Sequence, residues 1–331
     1  MNLQERINIL FKAAAYIKSN DQNWLNTKEI AYTKNGWFTP TFIQNAANQI
    51  ANNFLDINAL QQWAIHYHLD DNITPKNIGI VMAGNIPMVG FQDMLAVFVS
   101  GHHQTIKLST KDDILIKHFV QYLSTLNKEI ENYITFADTL KGCDAYIATG
   151  SNNTATVFNQ YFGKYPHIIR KNKTSVAILT GNENAEELRN LANDIHMYFG
   201  LGCRNVTKIY VPKGYDFIEL LKSFDDYKWF ADHHKYKNNY DYNLSIILLN
   251  HVYYMTNEAT LLVENNGLFS PISQVFYEFY EDANKIAENL SKNVDIQCIV
   301  GNNFVPFGQT QKPNLFTYAD GVDTMEFLLT L

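Results

Sequence analysis

The chain has 331 residues, of which 46% are hydrophobic and 18% are charged, and these values are typical of a globular enzyme with two domains. The net charge is −7 and there is no long basic run, which argues against nucleic acid as the main partner. The three cysteines are scattered, so they fit neither a disulfide framework nor a zinc site and instead indicate a reducing, cytoplasmic setting.

Residues 1–75 predict a helical segment. Its opening residues mix charged and apolar side chains, which indicates an amphipathic helix and not a signal peptide. Toward its end, apolar residues such as Leu60 and Trp63 recur at helical spacing. No apolar run in the chain approaches the length that spans a bilayer, so no membrane span is expected.

From residue 76 onward, predicted strands alternate with predicted helices. We expect strands in NIGIVMAGN, QTIKLST, CDAYIAT, TSVAILTG, VTKIYVP, LSIILLNHVYYM and DIQCIVG. We expect helices in MLAVFVSG, DDILIKHFVQYLSTL, SNNTATVFNQYF, NAEELRNLANDIHMYFG, DFIELLKSF and YEDANKIAENLSK. This alternation predicts an α/β fold with mainly parallel sheets that are covered on both faces.

These elements predict four parts of the chain. They are an N-terminal helical segment (1–75), a first α/β domain (76–185), a second α/β domain that carries Cys203 (186–310) and a C-terminal segment (311–331). The fold expected is therefore two α/β domains with a cleft between them.

Cys203 follows two glycines, between a predicted helix and a predicted strand. A thiol on such a turn can stand at a cleft, where backbone N–H groups and the adjacent Arg204 would assist its thiolate. The end of the preceding helix would oppose an anion, and a small buried hydrophobe is the alternative interpretation. Cys143 and Cys298 lie beside or within predicted strands and are expected in the core.

Two strand ends carry further candidates. Gly150 and Ser151 lie where a helix begins, and a helix N-terminus suits a phosphate, although Ser151 could simply cap the helix. Asn85 lies at the end of a buried strand, where its amide could donate to an oxyanion or merely shape a turn. The usual G-x-G-x-x-G fingerprint is absent. The paired histidines have no Cys or Glu at metal-ligand spacing, so no metal is expected.

Taken in order, these segments resemble the aldehyde dehydrogenase superfamily over roughly residues 80–280. The similar pairs are GNIP with the family's WNFP, SGHHQTIKLST with AGNTVVLKPSE, ATGS with FTGS, GLGC with GQ-x-C, and LFSPISQVFYE with IFGPVLPV. The resemblance implies the aldehyde dehydrogenase fold, with residues 76–185 as the nucleotide-binding domain, residues 186–310 as the catalytic domain and Cys203 as the nucleophile. It also places Asn85 at the family's asparagine and Lys107 at its lysine. The C-terminal stretch PFGQTQKPNLFTYADGVDTMEFLL resembles the fatty acyl-CoA reductases of the LuxC type, which are the closest subgroup.

Two departures from the family pattern bear on the reaction. Ile169 stands where the glutamate of LELGGK activates water in members that make acids, which argues against hydrolysis and for exchange with a thiol such as CoA. The resemblance thus implies reduction of an acyl-CoA to the aldehyde through a thioester on Cys203, with CoA as the leaving group. Gly267 lies near the place of the EIFGP glutamate, which leaves open a non-catalytic scaffold of the same fold. A hydrolytic aldehyde dehydrogenase is the other alternative.

The resemblance also implies a nicotinamide cofactor. Thr110 lies where NAD-preferring relatives often have a glutamate on the adenosine ribose, and a carboxylate there would repel a 2′-phosphate. With Lys107 and Lys111 adding positive charge, we expect NADPH to be preferred over NADH. Gly150 and Ser151 are the candidates for its phosphates.

A fatty acyl chain is the expected substrate group. The aromatic-rich stretch that holds Trp229, Phe230, Tyr240 and Tyr242 could line a chain-binding tunnel, or could form interdomain or oligomer core. The partners expected are an acyl-CoA or another acyl thioester, with no nucleic acid and no membrane span. A homo-oligomer and a partner acyl-transfer enzyme are both compatible with this interpretation.

Overall fold

The computed structural model describes residues 1–331, which form two compact units. Unit 1 consists of Met1–Asn172 together with Pro313–Leu331, and unit 2 consists of Lys173–Lys312. Each unit has its own sheet flanked by helices, so the predicted α/β class with two α/β domains is confirmed.

The units divide between Asn172 and Lys173, ahead of the boundary that the sequence placed at residue 185. The strand over residues 174–178 pairs with two strands of unit 2, so that segment belongs to the second sheet. Both terminal segments that the sequence set apart belong to unit 1.

Eleven strands form the two sheets. They are β1 (Asn77–Val81), β2 (His103–Lys107), β3 (Ile134–Phe136), β4 (Ala145–Thr149), β5 (His167–Arg170), β6 (Thr174–Ile178), β7 (Val206–Pro212), β8 (Tyr254–Thr256), β9 (Leu261–Glu264), β10 (Gln274–Tyr280) and β11 (Ile296–Val300). The sheet of unit 1 has the order β3-β2-β1-β4-β5 and every pair is parallel. The sheet of unit 2 has the order β11-β6-β7-β10-β9-β8, and only β8 and β9 are antiparallel.

Thirteen α-helices accompany the strands. They are α1 (Leu3–Lys18), α2 (Gln22–Lys34), α3 (Pro40–Gln49), α4 (Ile57–His66), α5 (Phe91–Ser100), α6 (Ile114–Leu126), α7 (Ile130–Tyr133), α8 (Asn152–Phe162), α9 (Ala185–His196), α10 (Ile218–Ser223), α11 (His234–Leu249), α12 (Ala283–Ser291) and α13 (Thr324–Leu329). A π-helical turn follows α3, and 3₁₀ turns cover Met197–Gly200, Phe224–Asp232 and Ala319–Gly321. No helix is both long and apolar enough to cross a membrane.

The N-terminal segment is helical, as its apolar spacing predicts, and its buried side chains join the hydrophobic core of unit 1, where α1 packs against α5 and α6. Asn2 and Glu5 form a capping box that begins α1. The C-terminal segment is tied to these helices through Tyr318, whose hydroxyl accepts from Trp63 Nε1 at 2.9 Å and donates to the Tyr67 hydroxyl at 3.1 Å. The two ends of the chain therefore complete the core of unit 1.

One predicted strand of unit 2 is wrong. The first half of the stretch LSIILLNHVYYM belongs to α11, which runs to Leu249, and only its last two residues lie in β8. The buried side chains Tyr236, Tyr240, Asn243 and Ile247 follow a helical period, whereas the apolar run beside them faces solvent. The central strand β10 was not predicted, because its sequence was considered only as part of a motif.

His196 is buried in the aromatic core of unit 2. Its Nδ1 lies 2.8 Å from the carbonyl oxygen of Ala192, which can only accept, so Nδ1 carries the proton. Its Nε2 then accepts from the Thr260 hydroxyl at 2.9 Å, and the ring stacks on Tyr227 at 4.6 Å. Burial lowers the pKa of His196 to about 4.

We expect His196 to make the protein sensitive to acid. The unfolded state binds a proton below a pKa of 6.5, but the folded state does so only near pH 4, so stability is lost as the pH falls through this window. The loss should reach at most about 3 kcal/mol. Urea unfolding between pH 7 and pH 4 should show a steeper decline for the wild type than for His196→Gln. Parallel curves for the two proteins would contradict this assignment.

Candidate active site

The segment that follows β1 contains Asn85. Met82 N–H donates to the Lys107 carbonyl at 3.0 Å, which joins the ends of β1 and β2. Gly84 packs on Ser109, and a Cβ at Gly84 would lie only 2.7 Å from Ser109 Cβ, so this approach requires glycine. Asn85 is exposed at the turn that follows.

The end of β2 and the turn after it contain the two residues that are expected to lie near the adenosine ribose of the cofactor. Lys107 is the last residue of β2 and Thr110 lies on the next turn, and both side chains are exposed. Asp112, at the end of this turn, is buried. Sequence reasoning did not single out Asp112.

The segment that follows β4 contains Gly150 and Ser151. Ser151 Oγ accepts from Thr154 N–H at 3.3 Å and caps α8, so the capping role expected as the alternative is present. A Cβ at Gly150 would lie 3.0 Å from Thr154, and glycine therefore allows α8 to begin close to the sheet. The remaining N–H groups of the first turn of α8 are suited to an anion.

All five unit 1 candidates thus lie at or just beyond the carboxyl ends of parallel strands in one sheet. They are Asn85, Lys107, Thr110, Gly150 and Ser151. The strand order reverses between β1 and β4, and open parallel sheets bind nucleotides at such a switch point. The order of the strands, which the sequence motifs do not reveal, is what brings these segments together.

Cys203 belongs to unit 2 and lies on a sharp turn before β7. Tyr198 and Phe199 adopt left-handed conformations with φ of 56° and 58°, and Gly200 follows with φ of 73°. A left-handed conformation costs a residue other than glycine about 1–3 kcal/mol, so the surrounding structure must hold this turn. The Cys203 residue is half-buried.

Asn205 holds the turn. Its side chain is fully buried, and Nδ2 lies 2.9–3.2 Å from the carbonyl oxygens of Asp194, Ile195 and Met197 at the end of α9. Its Oδ1 accepts from Gly202 N–H at 2.8 Å. Sequence reasoning missed Asn205, because the carbonyl groups that it binds lie 8 to 11 residues earlier in the chain and no local pattern marks the contact.

We expect Asn205→Ala to lower the free energy of unfolding by about 3 kcal/mol, because it removes these bonds and leaves buried backbone groups unpartnered. Urea unfolding of the variant and the wild type measures the change. Asn284→Ala, at an exposed position of α12, is the matched control and should change stability by less than about 0.5 kcal/mol. An equally small change for Asn205→Ala would show that the turn does not depend on this side chain.

Ser175 links the turn to the third cysteine. Its Oγ lies 3.1 Å from the Cys203 carbonyl oxygen and 3.0 Å from Cys298 Sγ. Burial raises the pKa of the Cys298 thiol, against the opposing effects of Ser175 and Arg204. Cys143 is buried as expected, whereas Cys298 is partly exposed. The raised pKa makes Cys298 a poor nucleophile at neutral pH.

The aromatic-rich stretch does not form a common channel within unit 2. Phe230 and Tyr240 are buried, whereas Trp229 and Tyr242 are exposed. Phe199 packs against Trp229 at 5.8 Å and Phe230 at 4.4 Å, so these rings fill the space beside the Cys203 turn. The cavity lined by Phe199 has a volume of about 20 Å³, enough for one water molecule. Phe230 and Tyr240 therefore pack within the core of unit 2.

The sequence departs from the aldehyde dehydrogenase pattern at two positions where that pattern has a glutamate. Ile169 lies in β5 and is half-buried. Gly267 lies between β9 and β10, where its N–H donates to Asn265 Oδ1 at 2.7 Å. Neither position supplies a carboxylate.

No protein-family model and no curated protein matches the chain. Solved structures do match it. Aldehyde dehydrogenase 21 from Physcomitrella patens, solved with its reaction product succinate, is 12% identical with a TM-score of 0.67, and the match covers 92% of this chain and 74% of that one. Succinic semialdehyde dehydrogenase from Streptococcus pyogenes, solved with NADP⁺ as the cofactor, is 14% identical with a TM-score of 0.64, and the match covers 90% and 76%. Indole-3-acetaldehyde dehydrogenase from P. syringae, solved with NAD⁺, is 11% identical with a TM-score of 0.62, and the match covers 91% and 72%. The chain therefore has the aldehyde dehydrogenase fold, as the sequence resemblance implied.

Proposed function

We propose that this protein is an oxidoreductase that reduces an acyl-CoA, or another acyl thioester, to the aldehyde through a covalent thioester on Cys203. The observation that supports this most directly is the Cys203 turn, which is held in an unfavourable backbone conformation by a buried asparagine. In a fold shared with solved aldehyde dehydrogenases, such a turn is suited to presenting a nucleophile.

The unit 1 sheet fits a nicotinamide dinucleotide. The first turn of α8, with Gly150 and Ser151, would hold the phosphates, while Lys107 and Thr110 would lie near the adenosine ribose. Thr110 lacks the charge that would repel a 2′-phosphate, which supports NADPH over NADH. When bound, the cofactor supplies the hydride for reduction.

The chain's own residues account for the acyl transfer. The Cys203 thiolate attacks the thioester carbonyl carbon, a new C–S bond forms, and the bond to CoA breaks so that CoA leaves as its thiolate. The Asn85 amide and the Cys203 backbone N–H donate to the carbonyl oxygen as it becomes negative. Position 169 holds an isoleucine and therefore offers no carboxylate to activate water. The acyl group is then retained on Cys203 for reduction.

The test is to incubate the protein with NADPH or NADH and a series of acyl-CoAs of increasing chain length. We expect oxidation of NADPH that depends on acyl-CoA, together with release of CoA and aldehyde. A higher kcat/KM with NADH would contradict the interpretation of Thr110, and activity with acetyl-CoA alone would contradict a fatty substrate.

Two alternatives give different results in the same assays. A hydrolytic dehydrogenase would convert aldehyde to acid without CoA. The isoleucine at position 169 disfavours this alternative, because it cannot activate water. A non-catalytic scaffold would show no protection of Cys203 from iodoacetamide by acyl-CoA. Protection of Cys203 without turnover would instead indicate that acyl-CoA acylates the cysteine but that the acyl group is not reduced.

A further inference from the structure

Asp112 connects two of the segments at the carboxyl end of the unit 1 sheet. Its side chain is 4% exposed, and its Oδ2 accepts from Met88 N–H at 2.6 Å. Its own backbone N–H donates to the Ser109 carbonyl at 3.0 Å. A single carboxyl group therefore joins the turn after β2 to the turn after β1.

Met88 needs this contact. It is buried, and its backbone is left-handed with φ of 57°, a conformation that costs such a residue about 1–3 kcal/mol. Its N–H is satisfied by Asp112, which stabilises the unfavourable conformation. At the other end of the same turn, Gly84 packs against Ser109 and Asp112. The five residues from Gly84 to Met88 are thus held at both ends by the segment that carries Thr110.

We propose that Asp112 is a positioning residue that fixes the turn carrying Asn85 by holding Met88. The inference rests on the proposed function, because it assumes that Asn85 donates to the substrate oxygen. It adds a residue that would set the position of this donor without touching the substrate.

The charge state of Asp112 bears on this role. Burial raises the pKa of this carboxyl group to about 7, with a small further increase from Asp113 and a decrease from Met88 N–H. Asp113 is itself paired with Lys34 at 2.6 Å and Lys117 at 3.8 Å, and residues 82–90 contain no titratable side chain. Asp112 Oδ1 is buried without a hydrogen-bond partner.

Ionisation of Asp112 therefore disfavours the folded turn. Because the folded pKa lies above the unfolded value of 3.8, this contribution to stability is complete below that value and is lost as the pH rises through about 7. The turn should be held best below neutral pH and less well above it.

The experiment compares Asp112→Ala, Asp112→Asn and the control Asp113→Asn. We expect Asp112→Ala to lower kcat by about tenfold to a hundredfold with little change in KM or in NADPH binding, since the donor is misplaced and no binding group is lost. Hydrogen exchange at the Met88 amide, followed by mass spectrometry without substrate, should become faster. Asp112→Asn retains an acceptor for Met88 and should restore kcat. It should also remove the decline in kcat that we expect in the wild type as the pH rises through about 7. Asp113→Asn should retain kcat and the exchange rate.

Wild-type kcat and exchange in Asp112→Ala would overturn the inference, and so would superimposable pH profiles for the wild type and Asp112→Asn. Should Asp112→Ala fail to fold, the pH profile of Asp112→Asn still decides. An unchanged kcat in Asn85→Ala would instead refute the proposed donor, while faster Met88 exchange in Asp112→Ala would still support the anchoring contact. The two failures are therefore distinguishable.

Discussion

Replacing Cys203 with alanine is expected to abolish both acyl-enzyme formation and the reduction of acyl-CoA. Alanine cannot form the C–S bond, and the remaining oxyanion donors have no covalent intermediate to stabilise. Removal of a catalytic nucleophile typically lowers kcat by about 10⁴-fold or more. Mass spectrometry of the intact protein, after incubation with acyl-CoA and no cofactor, should show the added acyl mass in the wild type and none in Cys203→Ala.

The other two cysteines provide matched controls. Cys143 is buried, and burial raises the pKa of its thiol, so Cys143→Ala should still form the acyl-enzyme. Cys298→Ala should also retain it, although Cys298 contacts Ser175 beside the Cys203 turn. A fully active Cys203→Ala protein would refute the mechanism. Loss of acylation only in Cys298→Ala would indicate that Cys298 is the nucleophile.

The strand–turn–helix units of unit 1 could be predicted from sequence because each one is local. A buried strand that ends in glycine, such as the one before Gly150, predicts the turn without knowledge of its neighbours. The order of the strands is a property of long-range pairing, which no local pattern contains. Sequence therefore identified the individual candidates, and the structure brought them to one end of one sheet.

The residues that hold the site were missed for a related reason. Asn205 and Asp112 are ordinary turn residues in the sequence, and their roles depend on carbonyl and N–H groups contributed by other segments. The error at α11 has another origin, because the run of exposed apolar residues resembles a strand more than the buried face of the helix does. In each case contacts with other segments of the chain, and not the local sequence pattern, determine the structure that forms.

Asn85→Ala is expected to lower kcat by about 10²–10³-fold, or roughly 3–4 kcal/mol in the barrier. Attack on the thioester places negative charge on the carbonyl oxygen, and reactions of this kind usually use two donors. The Cys203 backbone N–H would remain, so the loss should be smaller than in Cys203→Ala. Asn85→Asp should lose at least as much activity, since a carboxylate would repel the developing charge.

Binding and folding should be nearly unaffected by Asn85→Ala, because Asn85 is exposed and the ends of its turn are held by Gly84 and Met88. Steady-state kinetics, NADPH titration and the melting temperature measure the three effects separately. Asn182→Ala, another exposed turn asparagine, is the control and should retain full activity. A near-normal kcat would show that Asn85 does not donate to the oxyanion. A collapse of the melting temperature would show instead that Asn85 serves mainly to shape its turn.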